Sequence, residues 1–139
     1  MSKLRPGWRV PVTSPMNITD DFDAHKARGS VNPGTDFAKP TGTRVYAASN
    51  GRVTLANRVG NGSGGKMIIL AHGSNGSVVT QYLHLSGLNV KSGQRVRKGD
   101  VIGWVGGSGY GNPEHYGAHL HWSLQVGKRN VDPMEWVTV

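Results

Sequence analysis

Apolar residues fall in short alternating runs separated by glycine, proline and asparagine, a pattern of strands and tight turns more than of helices. The clearest run is 117–126. There Leu120, Trp122, Leu124 and Val126 alternate with His119, His121, Ser123 and Gln125. Strand side chains alternate between faces, so the first set forms the core face and the two histidines point together on the other. Earlier runs predict strands over 44–48 and 52–59, joined as a hairpin by Asn50-Gly51, and over 66–72 and 77–85, joined by a second hairpin through 73–76. Val101 opens a further strand, 101–105. A short edge strand is expected at 8–12, and residues 20–35 read as a polar loop. The stretch 60–65 is a glycine-rich loop without the Gly-Lys-Ser/Thr of a phosphate loop. Residues 106–117 form a long loop able to wall a cleft, and Asp132-Pro133 predicts a turn followed by one helical turn.

These elements predict an all-β domain of antiparallel sheets with a groove over the central sheet. One domain, 1–139, is expected: an extended lead-in over 1–20, a core over 21–126 and a closing segment over 127–139. The 21 glycines and 7 prolines agree with many turns. The lack of cysteine excludes disulfides and thiolate metal sites, so a metal here must use His, Asp, Glu, Asn or water. No apolar run is long enough to span a membrane. The stretch 1–8 lacks the apolar core of a signal peptide, which places the expected chain in the cytoplasm or on another export route. The net charge of +8 predicts attraction to polyanions, whether nucleic acid or an anionic cell wall. The basic residues form no helical stripe and no zinc-finger or RNA-recognition signature.

Candidate chemistry centres on His119 and His121. Paired on a strand, they suit one metal ligand and one neighbouring acid/base group, or simply a half-exposed polar face. His72, before Gly73, reads as a turn residue. His115, Tyr110 and Tyr116 lie in the 106–117 loop and are candidate substrate contacts; Tyr46 and Tyr82 read as core or rim. Asp20, Asp21 and Asp23 read as solvated loop acids, one of which could orient His25.

Three segments together resemble the lysostaphin-type zinc endopeptidases that cut peptidoglycan. They are Pro33-Gly34-Thr35-Asp36-Phe37-Ala38 with the run 42–53, Thr80-Gln81-Tyr82-Leu83-His84-Leu85-Ser86 with the run 90–103, and Gly117-Ala118-His119-Leu120-His121. They occur in the family's order and cover roughly residues 30–126. The resemblance implies a lysostaphin-like fold, Zn2+ as cofactor, Asp36 and His121 as zinc ligands, and His84 and His119 as catalytic histidines. It implies hydrolysis of a peptide bond in the stems or cross-bridges of bacterial peptidoglycan. In that reading His119 positions or deprotonates the water and His84 stabilises the tetrahedral intermediate, or the two exchange roles. Two positions depart, the smaller being Trp122-Ser123, where the family often has an aromatic followed by an acid, outside the metal shell. The family's first zinc ligand is a histidine four residues before the aspartate, and here that residue is Asn32. His25, eleven residues before Asp36, could supply the imidazole from another direction; Asn32 or a water could fill the place; or the metal is lost and the domain binds peptidoglycan or activates another hydrolase. The expected metal set is His25, Asp36 and His121. A monomeric bacteriophage lysin or virion-associated hydrolase is expected, reaching the cell wall from the host cytoplasm or the virion. Binding of nucleic acid by a basic β-barrel ranks below both wall readings.

Overall fold

The computed structural model describes residues 7–73 and 75–137. Ten strands form one sheet: β1 (Ile18–Asp20), β2 (Thr35–Phe37), β3 (Arg44–Tyr46), β4 (Gly51–Asn57), β5 (Lys66–His72), β6 (Val78–Leu88), β7 (Arg95–Val96), β8 (Val101–Val105), β9 (Leu120–Val126) and β10 (Arg129–Val131). The main path runs β1-β2-β9-β6-β5-β4-β7; β10 adds to β9, and β8 pairs with both β3 and β6. The strand pairings are antiparallel, as the turn-rich sequence predicts.

The long strand β6 is the hub. It pairs with β9 and β5, and its C-terminal part crosses to β8 through register shifts. On β9, Leu120, Trp122 and Leu124 are fully buried, which confirms the core face of that strand. They pack with Phe37, Tyr82 and Leu85 in one apolar cluster. Val126 is the exception. It is 37% exposed, because β9 runs out of the core there into the turn toward β10.

The structure corrects several local expectations. Asn50-Gly51 does not close a hairpin: β3 pairs with β8, while β4 pairs with β5 and β7. Burial of Ala47 and Ala48 directs the chain inward instead, and the Asn50 carbonyl and side chain bind His72 and Lys98. Residues 8–12 form no strand. Trp8 makes one bridge to Val137, and Val10 and Val12 are buried against the core. The predicted polar loop holds a helix, α1 (Phe22–Ala27), preceded by β1. Asp21 caps α1 by accepting the Ala24 N–H, and Phe22 and His25 turn inward at helical spacing. So short a helix leaves almost no periodic signal. The β5–β6 hairpin is present, and Asp132 caps a 3₁₀ turn at Pro133–Trp136, both as expected. Residues 1–6 of the lead-in, Ser74 of the second turn and residues 138–139 of the closing segment lie outside the described residues.

His72 is not a turn residue either. It is buried at the end of β5 with its ring 4.6 Å from that of Trp8. Its Nδ1–H donates to the Asn50 carbonyl at 2.7 Å, so Nε2 accepts, and the Thr80 hydroxyl lies 2.8 Å from it. Thr80 in turn lies 2.9 Å from the Tyr82 hydroxyl, which accepts the Ala48 N–H. Burial pushes the His72 imidazole below its ordinary value, against the opposing pull of the Asn50 carbonyl. The unfolded chain therefore takes up this proton first. Stability is fully present above the unfolded value near 6.5 and falls as pH drops below it. We expect the urea midpoint to fall between about pH 7 and about pH 5.5, with a shallower fall in His72→Gln. Equal slopes in the two proteins would contradict the assignment.

Candidate metal centre

The centre begins with strand register. Across β2 and β9, Asp36 is the direct partner of His121. The Asp36 Oδ1 lies 2.7 Å from His121 Nδ1. Gly34 permits this approach: a Cβ there would meet the Trp122 carbonyl oxygen at 2.3 Å. Helix α1 then delivers His25, whose Nε2 lies 3.3 Å from Asp36 Oδ2 and whose ring meets that of His121 edge-on at 4.9 Å. Ligand atoms of His25, Asp36 and His121 all lie within 4.8 Å of one another. Both imidazoles are buried.

The hydrogen-bond accounting favours a cation. His25 Nδ1 donates to the Asp21 carbonyl at 2.8 Å, and His121 Nε2 donates to the Asn32 carbonyl at 2.9 Å. Carbonyls only accept, so each ring has one nitrogen committed as donor. The other nitrogen of each ring faces the Asp36 carboxylate, which also only accepts, so each contact needs a proton or a metal ion between its two atoms. Two imidazole acceptors and one carboxylate converging at a buried point are a donor set for a divalent metal, and one that suits zinc. Burial pushes the Asp36 carboxyl up, but His121, His25 and His119 outweigh it and hold it below the ordinary value, so it stays an anion. The Asp20 carboxylate stands 3.7 Å from His25 Nδ1, beyond hydrogen-bond range, and it is the backbone carbonyl of Asp21 that orients the ring.

Asn32 does not point its side chain at the cluster as a ligand. Its Nδ2–H donates to Gln81 at 2.9 Å, and its Oδ1 accepts from Asn130 at 2.7 Å. Asn130 also donates to the Pro33 carbonyl and accepts from Gln125. These amides hold the 32–34 loop so that its carbonyl meets His121. The sequence reading missed Gln81 and Asn130. Only the register, in which Gln81 faces Ser123 and Asn130 faces Gln125, brings them together.

Beside the cluster stand His84 and His119, with ring centroids 4.7 Å apart. His84 sits at a bulge in β6 with φ of 64°, and its N–H donates to the Gly64 carbonyl. Bulges re-aim side chains, and this one turns His84 toward the cleft. Its Nδ1 donates to the Ser108 carbonyl at 3.0 Å, and that of His119 to the Gly117 carbonyl at 2.7 Å. Both rings therefore keep Nε2 free. Burial drives His84 down to about 4, the Ser108 carbonyl pulling weakly the other way, so the ring is neutral near neutral pH. Ser108, another residue the sequence did not reveal, is fixed by accepting the Lys66 N–H and donating to the Leu85 carbonyl.

The histidines and Asp36 line an open cleft of about 330 Å³ with Tyr116. Tyr116 packs on His84 at 4.5 Å. Tyr110 and His115 do not line it. They stack in series, Tyr110 on His115 and His115 on Tyr116, and so buttress the tyrosine that does.

The chain matches the model of peptidase family M23 over residues 30–133. It is 38% identical to the peptidoglycan DD-endopeptidase ShyA of Vibrio cholerae over 96% of this chain and 30% of that protein. A second relative from the same organism, the peptidoglycan DD-endopeptidase ShyB, is 36% identical over 85% of this chain and 27% of its own length. The chain thus spans less than a third of these curated relatives. Among solved structures, a zinc-containing peptidase from Vibrio cholerae superposes with a TM-score of 0.76 at 32% identity, over 97% of this chain and 41% of that one. The catalytic domain of lysostaphin from Staphylococcus simulans gives 0.65 at 32% identity, over 92% of this chain and 86% of that one.

Purified protein should carry about one zinc per chain; His25→Ala should lose it, and Asn32→Ala should retain it, by elemental analysis after dialysis. Zinc kept in His25→Ala would move the third ligand elsewhere. With the family match running through most of its length and a lysostaphin-like sheet holding the His–Asp–His cluster, the chain belongs to peptidase family M23.

Proposed function

We propose that this chain is a zinc-dependent endopeptidase that hydrolyses peptide bonds in bacterial peptidoglycan. The observation that carries the proposal is the convergence of His25, Asp36 and His121 on one point beside two further histidines. His25 Nε2, an Asp36 oxygen and His121 Nδ1 would hold the metal. When bound, zinc supplies Lewis acidity toward a water and toward the scissile carbonyl. The remaining work falls to the side chains. His84, neutral and with Nε2 open, accepts a proton from an attacking water. His119, half-buried at the cleft mouth beside His84, stands where it can interact with the oxygen that gains charge. This exchanges the two roles as first expected from the resemblance, and the support for it is burial, which keeps His84 neutral while His119 stands at the cleft mouth. Tyr116 forms the wall beside His84 on which a substrate peptide would lie, with His115 and Tyr110 behind it.

Activity of the relatives named above makes a DD linkage the first bond to test. All five residues come from one chain, which supports a monomeric enzyme. The finer setting, a lysin of bacteriophage type acting on the wall, is supported by the charge of +8, which favours retention on an anionic surface. A non-catalytic wall-binding relative is the alternative, and the intact cluster with His25 in place argues against it. Incubation with purified peptidoglycan, followed by separation of the released fragments, should show new peptide termini and unchanged glycan ends. His84→Ala and His119→Ala should each lower turnover by about 10²–10⁴-fold while keeping their zinc. Release of fragments by the zinc-free protein would contradict the mechanism.

A further inference from the structure

A second concave surface lies at the other end of the sheet. Between the β4–β7 edge and the end of β5 is a cleft of about 670 Å³ whose lining includes Arg52, Arg95, Arg97 and Asn50 and no acidic residue. In sheet order its β4 and β7 walls stand three and four strand intervals from β9, roughly 14 and 19 Å at the usual spacing. Arg52 and Arg95 are direct partners across β4 and β7. Both are exposed, while their neighbours Val53 and Val96 are buried, so the two guanidinium groups rise from the same face. Arg97, one residue past the end of β7, is exposed and lines the same cleft.

Like charges placed directly opposite each other destabilise a strand pair. Among the described residues no ion pair or hydrogen bond engages the guanidinium groups of Arg52, Arg95 or Arg97; the one acid beside them, Asp100, accepts the Arg97 backbone N–H at 2.9 Å and pairs with none of the three. Of the other described arginines, Arg28 pairs with Asp20, Arg58 with the Val90 carbonyl and Arg9 lies over the Tyr46 ring, while Arg44 and Arg129 are also unengaged but lie apart from one another on β3 and β10 and line no cleft with a second arginine. Three free forks on one concave face match the geometry of phosphate oxygens, which guanidinium groups bind in pairs. Three guanidinium groups spread over β4, β7 and the segment after β7 suit several phosphates in a row more than one isolated anion.

We propose that the Arg52–Arg95–Arg97 cleft is a docking site for a phosphate-bearing anionic glycopolymer of the cell wall, separate from the metal centre. The site rests on the wall-hydrolase reading for the source of the polymer, and on geometry alone for its phosphate chemistry. Occupied, it would hold the sheet edge on the wall and leave the metal cleft free for peptide.

The test uses inorganic polyphosphate as the soluble probe, and wall sacculi with and without their phosphate polymers, which hydrofluoric acid strips. The triple variant Arg52→Gln/Arg95→Gln/Arg97→Gln should bind polyphosphate at least about tenfold more weakly, the scale of one or two charged hydrogen bonds. A charge-matched control, Arg44→Gln/Lys128→Gln/Arg129→Gln, should lose much less. The parent should co-sediment more with intact than with stripped sacculi. The triple variant should keep its zinc, and its melting temperature should not fall, because the substitution relieves a repulsion. Equal losses in the two triple variants would overturn the site in favour of diffuse charge. Tighter binding of duplex DNA than of polyphosphate, lost in the triple variant, would overturn the glycopolymer assignment. Polyphosphate binding that depends on the arginines, in a parent that cleaves no peptidoglycan, would support the site and count against the wall-hydrolase reading alone.

Discussion

The antiparallel register that sets Asp36 opposite His121 is the constraint on which the site depends. A slip of one residue would send every side chain of β2 to the other face. Phe37 prevents it, because the same slip would expel it from the core it shares with Leu120 and Trp122 of β9. Apolar burial on one face thus fixes a carboxylate and an imidazole on the other. The close approach of Gly34 to the Trp122 carbonyl holds the loop that leads into Asp36 at that distance.

On this base the chain solves a substitution. Where a histidine would be expected four residues before Asp36 stands Asn32, and its side chain is spent on Gln81 and Asn130. The imidazole comes from His25 on α1 instead. That helix has only six residues and owes its position to the Asp21 cap and the burial of Phe22 and His25. Asn32 keeps a part in the centre through its backbone, since its carbonyl accepts the His121 Nε2–H and so leaves Nδ1 for a metal. Side-chain identity at position 32 is thereby freed from ligation, while the position of its backbone is not.

Much of this was legible in the sequence because it follows alternation and local turn chemistry. The β9 face, the β5–β6 hairpin and the turn after Asp132 come from spacings of a few residues, whereas the meeting of Asp36 with His121, 85 residues apart, was legible only through the family resemblance. What was not legible depends on distant partners. Asn50-Gly51 is a strong hairpin signal, yet the strands beside it pair with β8, β5 and β7. His72 reads as a turn residue until Trp8 and Thr80 close over it. Nothing local distinguishes Gln81, Ser108 or Asn130 from other polar residues; each matters through a contact set by tertiary register. His25 was legible only as a candidate, since a helix of one and a half turns has no period to detect.

The most direct test of the relocated ligand is X-ray absorption at the zinc edge on the loaded protein. The account predicts two imidazoles and oxygen donors around zinc, at about 2.0–2.2 Å, with one imidazole lost in His25→Ala and both kept in Asn32→Ala. A single imidazole in the parent protein, or a first shell unchanged by His25→Ala, would contradict it.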